Sequence, residues 1–138
     1  GSCALVCRAE WHGQPVAAKI LKNSEQYKRR GSTVEEAKET LFKEIEMAAV
    51  LKHPNLVAVV GTCEKGFKGP ILVQELLSCS LKKWYDDRVR VDDDGKVQTQ
   101  WIPSEMLATR WSLQLAQAVE FLHGLGPAVI HRDIKPDN

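Results

Sequence analysis

Short apolar runs occupy most of the first 76 residues. Two of them, residues 4–11 and 15–21, are separated by the turn sequence HGQ and predict an antiparallel hairpin. Two more, residues 56–64 and 71–76, are joined by the glycine-containing segment KGFKG. The pattern predicts four strands in this part of the chain, with one helix inserted between the second and the third.

The segment between the second and third predicted strands has the periodicity of a helix. Apolar residues recur every three or four positions over residues 33–51, and Ser32 and Thr33 precede Glu35 and Glu36 at the spacing of a capping box. The HPN sequence that follows ends the helix, because proline disfavours helical geometry in the residue before it. The earlier segment KNSEQYKRRGS has no period, so we interpret it as a connector whose KRR run is a solvated loop. The predicted buried stripe consists of Val34, Ala37, Leu41, Ile45 and Ala48.

The rest of the chain is predicted to be mainly helical. Residues 80–87 fit a short helix, and residues 88–101 alternate around Asp94-Gly95, which predicts a hairpin. Residues 104–126 form the longest periodic segment, with Gly124 and Gly126 as stop signals. Apolar residues lie on more than one face of this last helix, which implies burial on more than one side. Its main stripe consists of Leu107, Trp111, Leu115, Ala118 and Leu122.

Composition indicates a globular protein and narrows its partners. The chain has 138 residues, 43% of them hydrophobic and 27% charged, which suits one ordinary domain. A net charge of +1 gives no general attraction to nucleic acid or anionic lipid. The four cysteines form no C-x-x-C pair and follow no signal peptide, so we expect a reduced, intracellular and cytoplasmic setting. No apolar run approaches the ~20 residues of a membrane span.

The last eight residues, HRDIKPDN, combine three chemical groups in one short loop. The Asp133 carboxylate can accept a hydrogen bond from an incoming hydroxyl, and Lys135 can neutralise charge on a phosphoryl group. The side-chain carbonyl of Asn138 can ligate Mg²⁺. Proline stiffens the loop that holds them. The alternative is that this segment is an ordinary charged loop on the protein surface.

This loop resembles the catalytic loop of eukaryotic protein kinases, and it closely matches the H-R-D-x-K-x-x-N form. In that family the lysine two residues after the aspartate marks the serine/threonine branch, so Lys135 implies transfer to Ser and Thr. The resemblance makes Asp133 and Lys135 the catalytic residues. It gives His131 a structural role in the loop.

A second part of the resemblance is the VAAK sequence at residues 16–19, which is similar to the family's V-A-x-K strand. Ala17 would lie against adenine, and Lys19 would reach the α and β phosphates. The family pairs this lysine with a glutamate of the next helix, where composition alone leaves four candidates open. The resemblance of FKEIEMAAVLKHPNLV to the family's helix-to-strand segment selects one of them. The candidates are Glu36, Glu39, Glu44 and Glu46, and the selected residue is Glu44.

Two further segments complete the nucleotide site that the resemblance implies. GSCALV matches the latter part of the glycine-rich loop, with Gly1 as its second glycine and Val6 covering adenine, but the third glycine is Ala4. ILVQELL resembles the last strand and the hinge. There Gln74 would guard the back of the adenine pocket. The backbone groups of Glu75 and Leu77 would bond adenine.

The resemblance covers all 138 residues and implies an α+β, two-lobed kinase fold in truncated form. Residues 1–77 would form an antiparallel-sheet lobe with one long helix and the hinge, and residues 78–138 the start of a helical lobe. The implied function is a protein serine/threonine kinase that uses ATP and Mg²⁺ on protein substrates, with Asn138 as a metal ligand. A pseudokinase, which binds nucleotide as a scaffold, is the alternative. Because the family's DFG and activation-loop segments are not in this sequence, we expect a fragment that is inactive alone.

Overall fold

The computed structural model describes residues 4–29, 31–66, 69–99 and 102–138. By its internal contacts the chain divides into two compact units, Gly1–Leu76 and Leu77–Asn138. The antiparallel sheet and the helices agree with the α+β class that the sequence predicts.

Four antiparallel strands form the sheet of the first unit: β1 Ala4–Trp11, β2 Gln14–Leu21, β3 Val59–Gly66 and β4 Gly69–Glu75. Their order is β1-β2-β4-β3, so β2 and β4 are central. The predicted first hairpin is confirmed, and its turn uses positive φ values of 48° at His12 and 76° at Gly13.

The third strand begins three residues later than the apolar run predicts. Leu56 donates its N–H to the carbonyl of His53 at 3.0 Å, so the residues after the proline form a turn before the strand starts. The predicted turn between β3 and β4 includes Phe67 and Lys68, which lie outside the described residues.

Two helices lie between β2 and β3, where one was predicted. The long helix α2 spans Val34–Val50 and agrees closely with the predicted residues 33–51. The short helix α1, Ser24–Lys28, corrects the interpretation of this segment as an irregular connector. Five residues are too few to establish a period. The helix is fixed by Tyr27, which is buried and whose hydroxyl accepts the Lys22 N–H at 2.7 Å.

The capping box of α2 is present as predicted. Thr33 Oγ1 accepts the Glu36 N–H at 3.1 Å, and Glu36 Oε2 accepts the Thr33 N–H at 2.9 Å. These bonds satisfy two N–H groups that would otherwise lack intrahelical partners. The cap therefore fixes where α2 begins.

Replacing Thr33 with alanine tests this cap. Thr33→Ala is expected to lower the free energy of unfolding by about 0.5–2 kcal/mol, because an N–H of the first turn loses its acceptor. Urea denaturation of the full-length protein measures the change. Ser32→Ala is the matched control and is expected to have a smaller effect, so equal losses in the two variants would contradict the assignment of the cap to Thr33.

The core of the first unit lies between α2 and one face of the sheet. Leu41 and Leu72 are among its largest fully buried side chains. Val34 and Ala48 pack against this core at its edge, in agreement with the predicted helical stripe. The buried cluster consists of Leu21, Tyr27, Ala37, Leu41, Ile45 and Leu72.

The second unit contains two helices, a small hairpin and the segment that ends at Asn138. Helix α3 spans Leu81–Asp86, and α4 spans Glu105–His123 with Gly124 as its C-cap, as the stop signal predicted. The predicted hairpin is formed by β5 Arg90–Val91 and β6 Val97–Thr99. Its predicted last two residues, Gln100 and Trp101, lie outside the described part.

The predicted stripe of α4 is only partly buried. Ala118 and Leu122 are buried, whereas Leu115 is 48% exposed. Leu115 lines an open groove of about 480 Å³ together with Ile134 and Pro136. Among the described residues, no helix combines the length and the apolar character that crossing a membrane requires.

Candidate functional site

Lys19 and Glu44 form an ion pair that joins β2 to α2. Lys19 lies opposite Val6 on β1 and opposite Leu72 on β4, and paired residues of neighbouring strands share a face of the sheet. Leu72 packs against the buried residues of α2, so this face is the one that α2 covers. The lysine side chain is 18% exposed and the glutamate side chain 41%, so both remain partly accessible to solvent.

The structure also shows why Glu44 is the partner among the four candidate glutamates. Leu41 and Ile45 are buried on the core side of α2, and Glu44 lies at the flank of that stripe. Glu36 is engaged in the capping box at the start of the helix. Glu39 and Glu46 are exposed.

The two apolar residues proposed to cover a nucleotide lie on the same face as Lys19. Val6 is directly opposite Lys19 and is 58% exposed. Ala17 is two positions before Lys19 on β2, which places both side chains on one side of the strand. Gly1 lies outside the described residues.

Ala4 has a backbone that does not require glycine. It is the first residue of β1 and pairs with Leu21. Positive φ outside glycine occurs, among the described residues, at His12 and Arg132. Alanine at position 4 therefore carries no strain in its backbone.

The predicted hinge residues lie at the end of β4 and within two residues after it. Gln74 pairs with Ala17 of β2, so the two residues share the face that carries Lys19. Glu75 is the last residue of β4, and its carboxylate Oε1 accepts the Ala58 N–H at 2.7 Å. Leu77 is exposed and is the first residue of the second unit.

Asp133 is the centre of a compact polar cluster in the second unit. Its carboxylate accepts from Lys135 Nζ at 2.9 Å and from Asn138 Nδ2 at 3.1 Å. Asn138 Nδ2 also donates to the backbone carbonyl of Asp133 at 2.5 Å. The three residues that the sequence singled out in this loop are thus in mutual contact.

Hydrogen bonds from two backbone N–H groups hold this loop in shape. Asp133 donates its N–H to His131 Nδ1 at 3.3 Å, and Arg132 between them has a φ of 62°, which is uncommon outside glycine. Pro136 accepts the Lys82 N–H at 2.8 Å, which ties the loop to the first turn of α3. A backbone conformation such as that of Arg132 is strained, and it persists where the surrounding contacts enforce it.

The Asn138 amide fits the role of a ligand for a hard cation. In both of its hydrogen bonds to Asp133, the Asn138 side chain donates through Nδ2. The amide oxygen takes part in neither of these bonds. It is therefore available as an oxygen ligand, the type that Mg²⁺ prefers. No group of three or more His, Cys, Asp or Glu residues suited to a metal occurs within the described part of the chain.

The hydrogen bond from Lys135, followed by that from Asn138, lowers the pKa of Asp133 below its ordinary value. The carboxylate is therefore charged at neutral pH. Lys135→Met is expected to raise the pKa of Asp133 towards its ordinary value, because the largest cause of the shift is removed. A carboxyl carbon NMR titration measures this pKa. Lys96→Met is the matched control, and an Asp133 pKa that is the same in both variants would contradict the contact.

Two contacts near these residues were not foreseen from the sequence. They are the bond from Lys82 to Pro136 and the bond from Ala58 to the Glu75 carboxylate. Each joins a backbone group to a residue far away along the chain. No local sequence signal marks such a contact.

Comparison with known proteins finds a matching family and related sequences. The sequence model described as the protein kinase domain matches residues 1–138. A Drosophila melanogaster protein named mitogen-activated protein kinase kinase kinase 7-like is 31% identical over 140 residues, which cover 100% of this chain and 30% of that protein. The CBL-interacting serine/threonine-protein kinase 16 of Arabidopsis thaliana is 35% identical over 129 residues, covering 91% of this chain and 23% of the relative.

The fold is similar to that of a solved kinase structure. The crystal structure of Rad53 1-466 in complex with AMP-PNP superposes with a TM-score of 0.65 at 25% identity, covering 100% of this chain and 31% of that one. The chain thus spans about a third or less of the length of the proteins it matches. The family match over every residue, together with the four-stranded sheet and its paired lysine, shows that the chain belongs to the protein kinase domain family.

Proposed function

We propose that the protein is a serine/threonine kinase that transfers the γ-phosphoryl group of ATP to hydroxyl groups of protein substrates. The observation that carries this proposal is the Asp133 cluster, in which one carboxylate holds both Lys135 and Asn138. Phosphoryl transfer depends mainly on positioning and charge neutralisation, and this cluster contains an anion, a cation and a neutral oxygen ligand within one short loop.

Residues 1–77 are proposed to form the nucleotide-binding lobe and hinge, and residues 78–138 the start of the catalytic lobe. Val6 and Ala17 would pack on the adenine ring, and backbone groups of Glu75 and Leu77 would bond its edge. Lys19, held by Glu44, would contact the α and β phosphates. The ion pair supports this role because it restrains the position of the lysine ammonium group.

Asp133 is proposed to orient the substrate hydroxyl, and Lys135 to neutralise charge on the transferred group. Since the pKa of Asp133 is lowered, the carboxylate is a weak base, and its main contribution is to orient the nucleophile. Asn138 would hold Mg²⁺, which neutralises charge on the phosphates when it is bound. The free thiols of Cys7, Cys63 and Cys79 suit a reducing compartment, and an intracellular location remains a prediction.

A pseudokinase that binds nucleotide without transfer is the second candidate. The replacement of the family's third glycine by Ala4 is the observation that favours it. Against it, the strand backbone at Ala4 is one that alanine adopts freely. Lys19, Glu44, Asp133 and Asn138 are all present, so the kinase is the preferred proposal.

The test is a transfer assay on the full-length protein with Mg²⁺ and ATP. Three peptide pools would each contain serine, threonine or tyrosine as the single acceptor. Phosphorylation of the serine and threonine pools is expected. Transfer to tyrosine alone would contradict the proposed specificity, and nucleotide binding without transfer to any pool would establish the pseudokinase.

A further inference from the structure

At the end of the β3–β4 ladder, a side-chain oxygen accepts a hydrogen bond that a backbone carbonyl would normally accept. Val59 of β3 lies opposite Gln74 of β4, so the next pair outward is Ala58 and Glu75. In a regular antiparallel ladder, two residues that form a hydrogen-bonded pair exchange both of their backbone bonds. Here the Glu75 N–H donates to the Ala58 carbonyl at 2.9 Å, which is one of these two bonds.

The second bond goes to a different acceptor. The Ala58 N–H donates to Glu75 Oε1 at 2.7 Å rather than to the backbone carbonyl of Glu75. Ala58 has only one backbone N–H, so the carboxylate occupies the donor that the ladder would have given to the carbonyl. A carboxylate competes well for this donor, because charge-assisted hydrogen bonds are shorter and stronger than neutral ones.

We infer that Glu75 is a positioning residue whose own side chain keeps its backbone carbonyl out of the sheet and available to accept a hydrogen bond from the base of the bound nucleotide. The inference rests on the proposed function, in which this carbonyl bonds the edge of adenine. The Glu75 carbonyl is a hydrogen-bond acceptor. It therefore favours a base with an amino group at the 6-position, such as adenine, over a base without a donor at that position.

Glu75→Ala separates this role from a purely structural one. Without the carboxylate, the Ala58 N–H is free to bond the carbonyl at position 75 and complete the ladder. The affinity for ATP is then expected to fall roughly three- to tenfold, the range for one neutral hydrogen bond. The melting temperature of the protein without nucleotide is expected to change little, because a backbone bond from the Ala58 N–H takes the place of the side-chain bond.

The experiment measures the dissociation constants of ATP and of purine riboside triphosphate, which lacks the 6-amino group, for the full-length protein by calorimetry. The wild type is expected to prefer ATP, and Glu75→Ala is expected to show a smaller preference for ATP. Glu75→Gln retains the Oε1 acceptor and is expected to keep the preference for ATP. Gln14→Ala, at an exposed position of β2, is the control that leaves all values unchanged.

Three results would overturn the inference. The first is a Glu75→Ala variant that keeps the full preference for ATP. The second is a variant that loses affinity for both nucleotides equally together with a lower melting temperature, which is the result of a structural role alone. The third is a wild type that binds neither nucleotide, and only this result also removes the proposed function.

Discussion

Asp133→Asn in the full-length protein is expected to lower kcat by on the order of 10² to 10⁴, with little change in the KM for ATP. The substitution keeps the size of the side chain and an oxygen that can accept from Lys135. It removes the negative charge that is proposed to orient the substrate hydroxyl. An interaction that matters in the transition state alone lowers kcat without weakening the binding of the nucleotide.

Asp137→Asn is the matched control for this experiment. Asp137 is exposed in the same loop, four positions after Asp133, and the same charge is lost in both variants. Its kcat is expected to remain near that of the wild type. A kcat for Asp133→Asn that equals that of the control would remove Asp133 from its proposed role.

Lys19→Met is expected to lower kcat/KM for ATP by on the order of 10² to 10³, the usual loss when one preorganised charge contact is removed. The methionine side chain fills a similar volume but cannot bond the α and β phosphates. It also leaves Glu44 without its cation, so a negative charge would remain beside the triphosphate. Steady-state kinetics with varied ATP measures the loss.

Lys43→Met is the matched control, because Lys43 precedes Glu44 on α2 and is exposed. Glu44→Gln is expected to lower kcat/KM in the same direction as Lys19→Met. The double variant should lose much less than the product of the two single losses, since both single changes break the same pair. Undiminished transfer in Lys19→Met would contradict the proposed role of the pair.

The sequence predicts the long elements of the fold because each carries a strong local signal. Helix α2 combines a regular apolar period with a capping box, and both are present. The hairpin of β1 and β2 follows from two apolar runs and a glycine turn. Helix α1 gives no such signal, because five residues span little more than one turn and one buried tyrosine fixes them.

The candidate site is predictable from the sequence only in part, for a related reason. The cluster of Asp133, Lys135 and Asn138 lies within eight residues, so its members are brought together by local geometry. Residue types alone leave four candidates for the partner of Lys19. Only the spacing between the glutamate and the HPN sequence, known from the kinase family, identifies Glu44. The acceptor exchange at Glu75 depends on the register of two strands and on one rotamer, and neither can be read from residue types.

The proposed ATP site can be tested directly with an acyl-phosphate derivative of ATP, which transfers its acyl group to amines beside the bound phosphates. The full-length protein would be labelled with and without excess ATP, and the modified lysines identified by mass spectrometry. Labelling of Lys19 that ATP suppresses is expected, with no suppression at the exposed Lys43. Labelling of Lys19 that excess ATP leaves unchanged would contradict the proposed ATP site.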